Sequence, residues 1–170
     1  MTSYYDIFYI MSAGWVGIVS SDNGLTRSVL PMKSYEDAYR ALHPQVVKAK
    51  LSIGSFKDLE KRLGNYFAGK SFDLPDILDL EEAPPFFKVA WEKCRTIPLG
   101  ETRSYSWLAI QASSVKALRA AGQAMAKNPL PIIVPCHRVI GKNGSLTGFA
   151  GTIGLKQKML DLDKRIVGRR

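Results

Sequence analysis

The apolar positions change rhythm along the chain. Between residues 5 and 30 they form short runs, YDIFYI, WVGIVSS and LTRSVL, separated by small polar breaks. Runs of that length, rich in β-branched and aromatic residues, predict three strands. The Asn-Gly pair of SDNG (21–24) predicts a hairpin turn, because both residues tolerate positive φ. The spacing then lengthens to that of helices. SYEDAYRALHP (34–44) predicts a helix capped by Ser34, acidic in its first turn and stopped at Pro44. SFKDLEKRLGNYFAGK (55–70) predicts a second, with Ser55 and Asp58 as a capping box. Its apolar stripe is Phe56, Leu59, Leu63, Tyr66 and Phe67.

An acidic, proline-rich connector follows (71–85), and beyond it the pattern is almost entirely helical. FFKVAWEKCRTI (86–97) places Phe87, Ala90, Trp91 and Cys94 on one side, so Cys94 reads as a core thiol. YSWLAIQA (105–112) predicts a short helix, Ser113 and Ser114 a break, and 115–127 a second helix. Short helix, tight turn and longer helix make a helix-turn-helix. That second helix carries Ala117, Ala120, Ala121, Gly122 and Ala124 around a single Arg119. Small side chains let a backbone approach a partner closely, with the one long cation reaching past them; a tight helix-helix contact explains them equally well. IIVPC reads as a buried strand or extended segment, GKNGS as a turn and TGFAGTIG as a loop. A last amphipathic helix spans 155–163 with Leu155, Met159, Leu160 and Leu162 inward, before a frayed basic tail, KRIVGRR. The fold expected is an α/β N-terminal domain over 1–84, a small antiparallel sheet with helices. A mainly α, winged-helix-like domain follows over 85–170.

Composition sharpens this only where it is uneven. The chain's net charge of +9 resolves into −2 over residues 1–84 and +11 over 85–170. A positive half of that size favours a polyanionic partner, since displacing counterions from phosphates drives binding. No stretch approaches the roughly 18–20 apolar residues of a membrane span. Cys94 and Cys136, the only cysteines, form no disulfide framework, which points to a reducing compartment: cytoplasm, or nucleus in a eukaryote. Zinc would need both cysteines and both histidines, and the adjacency of Cys136 and His137 makes that geometry awkward.

That adjacency is the chemical signal. A thiol reacts as thiolate, and an unassisted one is only a few per cent ionised at neutral pH. In an extended segment neighbouring side chains point to opposite sides, so His137 needs a bridging water, or a turn after Cys136, to act on the sulfur. It also needs a carboxylate to hold its ring; after Pro85 there are only Glu92, Glu101, Asp161 and Asp163. A buried cysteine beside a hydrogen-bonded core histidine remains the plainer reading of the dipeptide alone.

The longer segment NPLPIIVPCHRVIGKNGSLTGFAG, with PLGETRSYSWLA and SSVKALRAAGQAMAKNP upstream, resembles the O6-alkylguanine-DNA alkyltransferases over about residues 86–163. The resemblance implies that Cys136 accepts the alkyl group of a damaged guanine and that His137 deprotonates it through water. Asp163 stands where the family usually has a glutamate that orients the histidine. Asn128 resembles the hinge asparagine, and Tyr105 the tyrosine that turns the nucleotide and stabilises the departing guanine. Arg119 resembles the arginine that fills the vacated stack. Val139 and the 147–152 loop, with Phe149, Ala150 and Gly151, would line the base pocket; Phe149 replaces a frequent tyrosine and Ala150 a serine. Ser106, Ser114, Ala117 and Lys142 would touch the DNA.

The implied function is stoichiometric, irreversible alkyl transfer from O6 of guanine in duplex DNA to Cys136, by base flipping and without cofactor or metal. The implied partner is double-stranded DNA carrying O6-alkylguanine, with no membrane, no obligate protein partner and a monomeric state. The competing readings are a lesion-recognition relative that transfers nothing, which would lack the cysteine, and a winged-helix regulator, which leaves PCHRV unexplained. A thiol hydrolase of small molecules is disfavoured by the basic half.

Overall fold

The computed structural model describes residues 2–147, 149 and 151–169. Two compact units divide the chain between Leu80 and Glu81. The N-terminal unit is built on a four-stranded sheet of β1 (Tyr4–Ile10), β2 (Gly14–Ser20), β3 (Leu25–Ser28) and β4 (Lys50–Leu51), in the order β3-β2-β1-β4. The first three strands are antiparallel; β4 runs parallel to β1, so the sheet is mixed rather than purely antiparallel. The turn between β2 and β3 needs positive φ only at Gly24, not at Asn23.

Helix α1 (Tyr35–Leu42) starts where Ser34 Oγ accepts the Asp37 N–H. It packs Ala38 and Leu42 onto Ile7, Val19 and Val29 of the sheet side. Helix α2 (Lys57–Phe67) begins later than its sequence suggests. Ser55 spends its hydroxyl on Ser52 (2.5 Å), Phe56 is the N-cap, and no side chain caps the helix, so the capping box does not form. Asp58 instead pairs with Arg62, which also holds Asp76 through two 2.7 Å bonds. With the Leu25–Leu78 bridge, that pairing lays the acidic 71–80 segment along the N-terminal unit.

In the C-terminal unit, α3 (Pro85–Arg95), α4 (Tyr105–Ala112) and α5 (Leu118–Ala126) pack on one another. Trp91 Nε1–H donates to the Ala124 carbonyl at 2.8 Å, tying α3 to α5. The second helix of the helix-turn-helix opens with a 3₁₀ turn at Val115–Ala117 before α5 begins. β5 (Arg103–Ser104) pairs in parallel with β6 (Val139–Ile140), which brings the start of α4 beside the chain just after Cys136. The last helix, α6 (Ile153–Val167), is longer than 155–163. Ile166 is buried, so residues expected to fray continue the helix. Gly100 (φ +82°) lies against it: a Cβ there would come 2.8 Å from Val167 Cγ2. Among the described residues no helix is long and apolar enough to cross a membrane.

Candidate active site

The segment before Cys136 is not a strand. Asn128 bends it: its Oδ1 accepts the Leu130 N–H and its Nδ2 donates to the Val134 carbonyl, both at 2.9 Å. Pro131 and Val134 bridge across the resulting turn, and Ile132 within it takes φ +78°. For a β-branched residue that conformation is held only where surrounding packing imposes it, and Ile132 is buried. Cys136–Arg138 then form a 3₁₀ turn. The strict alternation of an extended chain is thereby removed, and all three side chains are buried.

His137 Nε2 lies 3.2 Å from Asp163 Oδ2, and Arg138 Nε donates to the same oxygen at 2.6 Å. Arg138 Nη1 also donates to the Ile97 carbonyl at 3.0 Å. Burial alone would raise the Asp163 pKa, but hydrogen bonds and charge from His137 and Arg138 hold it below the usual carboxylate value. An ionised carboxylate only accepts, so the His137 proton resides on Nε2 and Nδ1 keeps its lone pair. Nδ1 is buried and finds no hydrogen-bond partner among the described residues. Burial also lowers the His137 pKa against the opposing pull of Asp163, leaving a neutral imidazole able to take a proton. Burial pushes the Cys136 thiol up; an Asn128 hydrogen bond and Lys156 pull it back down.

Lys156 is the residue the sequence reading missed. It is fully buried on α6, and Nζ donates to the carbonyls of Val139 (2.6 Å) and Thr147 (2.9 Å). It also approaches the Tyr105 hydroxyl (3.5 Å), and that hydroxyl donates to the Thr147 carbonyl. Nζ lies 5.7 Å from the Tyr105 ring centroid and 5.8 Å from that of Phe149. Burial lowers the lysine pKa to about 8 and raises that of Tyr105 to about 12. The signal was available: Lys156, Met159, Leu160 and Asp163 recur at helical spacing, so both charges share the apolar stripe. Arg138, in the 3₁₀ turn after Cys136, was also missed.

The site is therefore two linked groups: Cys136–His137–Asp163–Arg138, braced by Asn128, and Tyr105–Lys156–Thr147–Val139, with Phe149 beside it. Gly151 is half-buried at the edge of the same loop, and Ala150 lies outside the described residues. Arg119, Ser114 and Lys142 are exposed and outside these groups, while Ser106 on α4 and Ala117 are half-buried.

Substituting Lys156 with methionine should leave two buried carbonyls without their donor, at roughly 1–3 kcal/mol each before relief of the lysine's own burial cost. The folded pKa of Lys156 lies below the unfolded value of about 10.4. Wild-type stability should therefore rise between pH 8 and 10.4, where the unfolded chain binds more protons, and K156M should lack that rise. Urea denaturation across that pH range measures both effects.

Residues 85–165 match the family described as 6-O-methylguanine DNA methyltransferase, DNA binding domain. The constitutive methylated-DNA–protein-cysteine methyltransferase of Bacillus subtilis is 37% identical over 86% of this chain and 87% of its own. The chain belongs to this methyltransferase family. The crystal structure of the Mycobacterium tuberculosis O6-methylguanine methyltransferase superposes with a TM-score of 0.80 at 34% identity, covering 96% of this chain and 93% of that one. A structure of Mycobacterium tuberculosis OGT in complex with DNA superposes at 0.78 and 33% identity, covering 96% and 94%. Every residue of the site groups falls inside the span matched to the methyltransferase family's DNA-binding domain.

Proposed function

We propose that this protein repairs DNA by moving the alkyl group from O6 of guanine in a duplex onto Cys136, once per molecule. The observation that carries this reading is the unpartnered Nδ1 of His137, with Nε2 fixed on an ionised Asp163. A buried base of that kind, one residue after a buried thiol, suits removal of the thiol proton through a water. The thiolate sulfur then bonds to the alkyl carbon as the carbon–O6 bond breaks, and the electron pair leaves on guanine. A proton on guanine completes the balance, giving S-alkylcysteine and the repaired base. Tyr105, one wall of the same site, is the group placed to steady the departing guanine, and Asn128 holds the turn that presents Cys136.

The base must leave the stack to meet a buried sulfur. Arg119, exposed near the start of α5, serves to fill the gap, with the small residues of that helix allowing close approach. Ser106, Ser114, Ala117 and Lys142 serve as backbone contacts, and Val139, Phe149, Ala150 and Gly151 as pocket lining. The chain acts as a monomer in the cell interior. The thioether is stable and no second thiol stands ready to release it: Cys94 is fully buried on α3, and burial raises its pKa well above the ordinary value. Titrating a duplex that carries one radiolabelled O6-methylguanine should therefore reach a plateau at one methyl per protein molecule. Continued turnover past that plateau would overturn the reading.

A further inference from the structure

Arg138 is the largest completely buried side chain among the described residues, at 1% exposure. An arginine enters a closed interior where its donors and its charge are met. Nε donates to Asp163 Oδ2 on α6 at 2.6 Å, and Nη1 to the Ile97 carbonyl, just past the end of α3, at 3.0 Å. The 3₁₀ turn, α6 and the exit of α3 therefore meet on one guanidinium. The oxygen that Arg138 holds is also the one 3.2 Å from His137 Nε2. The proton path proposed above runs from Cys136 through water to His137 Nδ1, and Arg138 lies off it.

We propose that Arg138 is a positioning residue for the transfer: anchored on Ile97, it keeps Asp163 Oδ2 an acceptor and so fixes the imidazole proton on Nε2. This rests on the proposed function. Ionised Asp163, charged Arg138 and neutral His137 sum to zero charge in a closed site. Without the guanidinium, Asp163 and His137 together carry one buried negative charge, a costly arrangement that uptake of a proton relieves. A proton taken up on Asp163 is donated to Nε2, and the ring proton then moves to Nδ1. A proton taken up on the imidazole occupies Nδ1 itself. Both routes leave Nδ1 unable to accept from Cys136. Arg138 blocks the first, because a guanidinium only donates and already occupies Oδ2. Its charge opposes the second. Burial pushes His137 down against the pull of Asp163, and Arg138 and Lys156 push it further, the lysine from its place on the Val139 and Thr147 carbonyls.

The test uses the full chain as R138M, R138K, D163N and the R138M/D163N double variant. The chain has two histidines, His43 and His137, so long-range ¹⁵N–¹H spectra read the imidazole proton without DNA. At neutral pH the wild type should carry the His137 proton on Nε2 alone, and R138M should carry one on Nδ1. Transfer from duplex by R138M should slow by about 10²-fold or more at neutral pH and recover as pH rises. R138K retains the cation and should retain the Nε2 proton. A merely structural role would slow transfer without moving the ring proton or the pH profile. Since Arg138 acts through Asp163, adding R138M to D163N should change the rate by no more than about twofold. That double variant removes both members of the ion pair, so it decides the matter if R138M does not fold. A wild-type tautomer and pH profile in R138M would overturn the proposal. So would loss of the Nε2 proton in R138K, or a marked further slowing when R138M is added to D163N. Wild-type protein with Nδ1 bare that takes no methyl group from the duplex would instead refute the function on which the proposal rests.

Discussion

A Cys136→Ala variant should bind a duplex carrying O6-methylguanine and take nothing from it. Cys136 is 1% exposed, so removing its sulfur creates a void smaller than a methionine side chain would leave, at a cost of about 1 kcal/mol. The turn that presents the residue is held by the Asn128 bonds to the Leu130 N–H and the Val134 carbonyl, and neither bond involves the sulfur. Binding through the helix-turn-helix therefore survives, while the bond-forming atom is gone. Cys94 offers no substitute, being fully buried on a different helix with its ionisation suppressed by burial. Anisotropy with a labelled duplex measures the first property, and loss of the lesion from the DNA measures the second. Residual transfer by this variant would place the acceptor elsewhere.

Replacing Asp163 with asparagine should damage both stability and chemistry. Asp163 Oδ2 receives the Arg138 Nε–H and the His137 Nε2–H in a site closed to solvent. An asparagine withdraws the Asp163 charge from the buried Arg138 guanidinium, and breaking one side of such a buried pair costs about 3–5 kcal/mol. The amide also offers an N–H toward Nε2, which would drive the imidazole proton onto Nδ1 and remove the lone pair proposed to take the thiol's proton through water. Methyl transfer should then slow by about 10²-fold or more, the scale of losing a positioned general base. The acid profile supplies a second readout. Asp163 is held below its ordinary pKa, so its contribution is complete above the unfolded value of about 3.9 and is lost as pH falls through the lower folded value. His137 is also depressed, and stability drains as pH falls below about 6.5, where the unfolded imidazole protonates first. D163N should lose the lower of these two transitions. Urea denaturation from pH 3 to pH 8, beside transfer rates at neutral pH, would show it; wild-type stability and rate in D163N would remove Asp163 from the account.

The residues that announce the chemistry were legible because they sit together in the chain. PCHRV sets a thiol beside an imidazole, which the resemblance reads as nucleophile and base, and α4 was readable over Tyr105–Ala112, since the serine break at 113–114 ends it. Asp163 was reached through the resemblance, and the structure puts its oxygen on both His137 and Arg138. What stayed hidden depends on contacts distant in sequence. The spacing of Lys156 puts it on the apolar stripe of α6, but that the carbonyls of Val139 and Thr147 close around it only the folded chain shows. The turn before Cys136 was read as extended because isoleucine and valine favour strands; packing overrides that preference and holds Ile132 at positive φ. Ser55 resembled a helix cap because nothing local reveals that Ser52 takes its hydroxyl. The basic tail read as frayed although Ile166, one turn from the end of α6, is buried and extends the helix to Val167.

The central claim is that Cys136 is the acceptor, and peptide mapping by mass spectrometry tests it most directly. Protein incubated with a duplex bearing a single O6-methylguanine is digested, and each cysteine peptide is weighed. The account predicts one methyl group on the peptide containing Cys136, none on the peptide containing Cys94, and saturation at one per molecule. A methylated Cys94, or full repair of the DNA with both thiols unmodified, would contradict it.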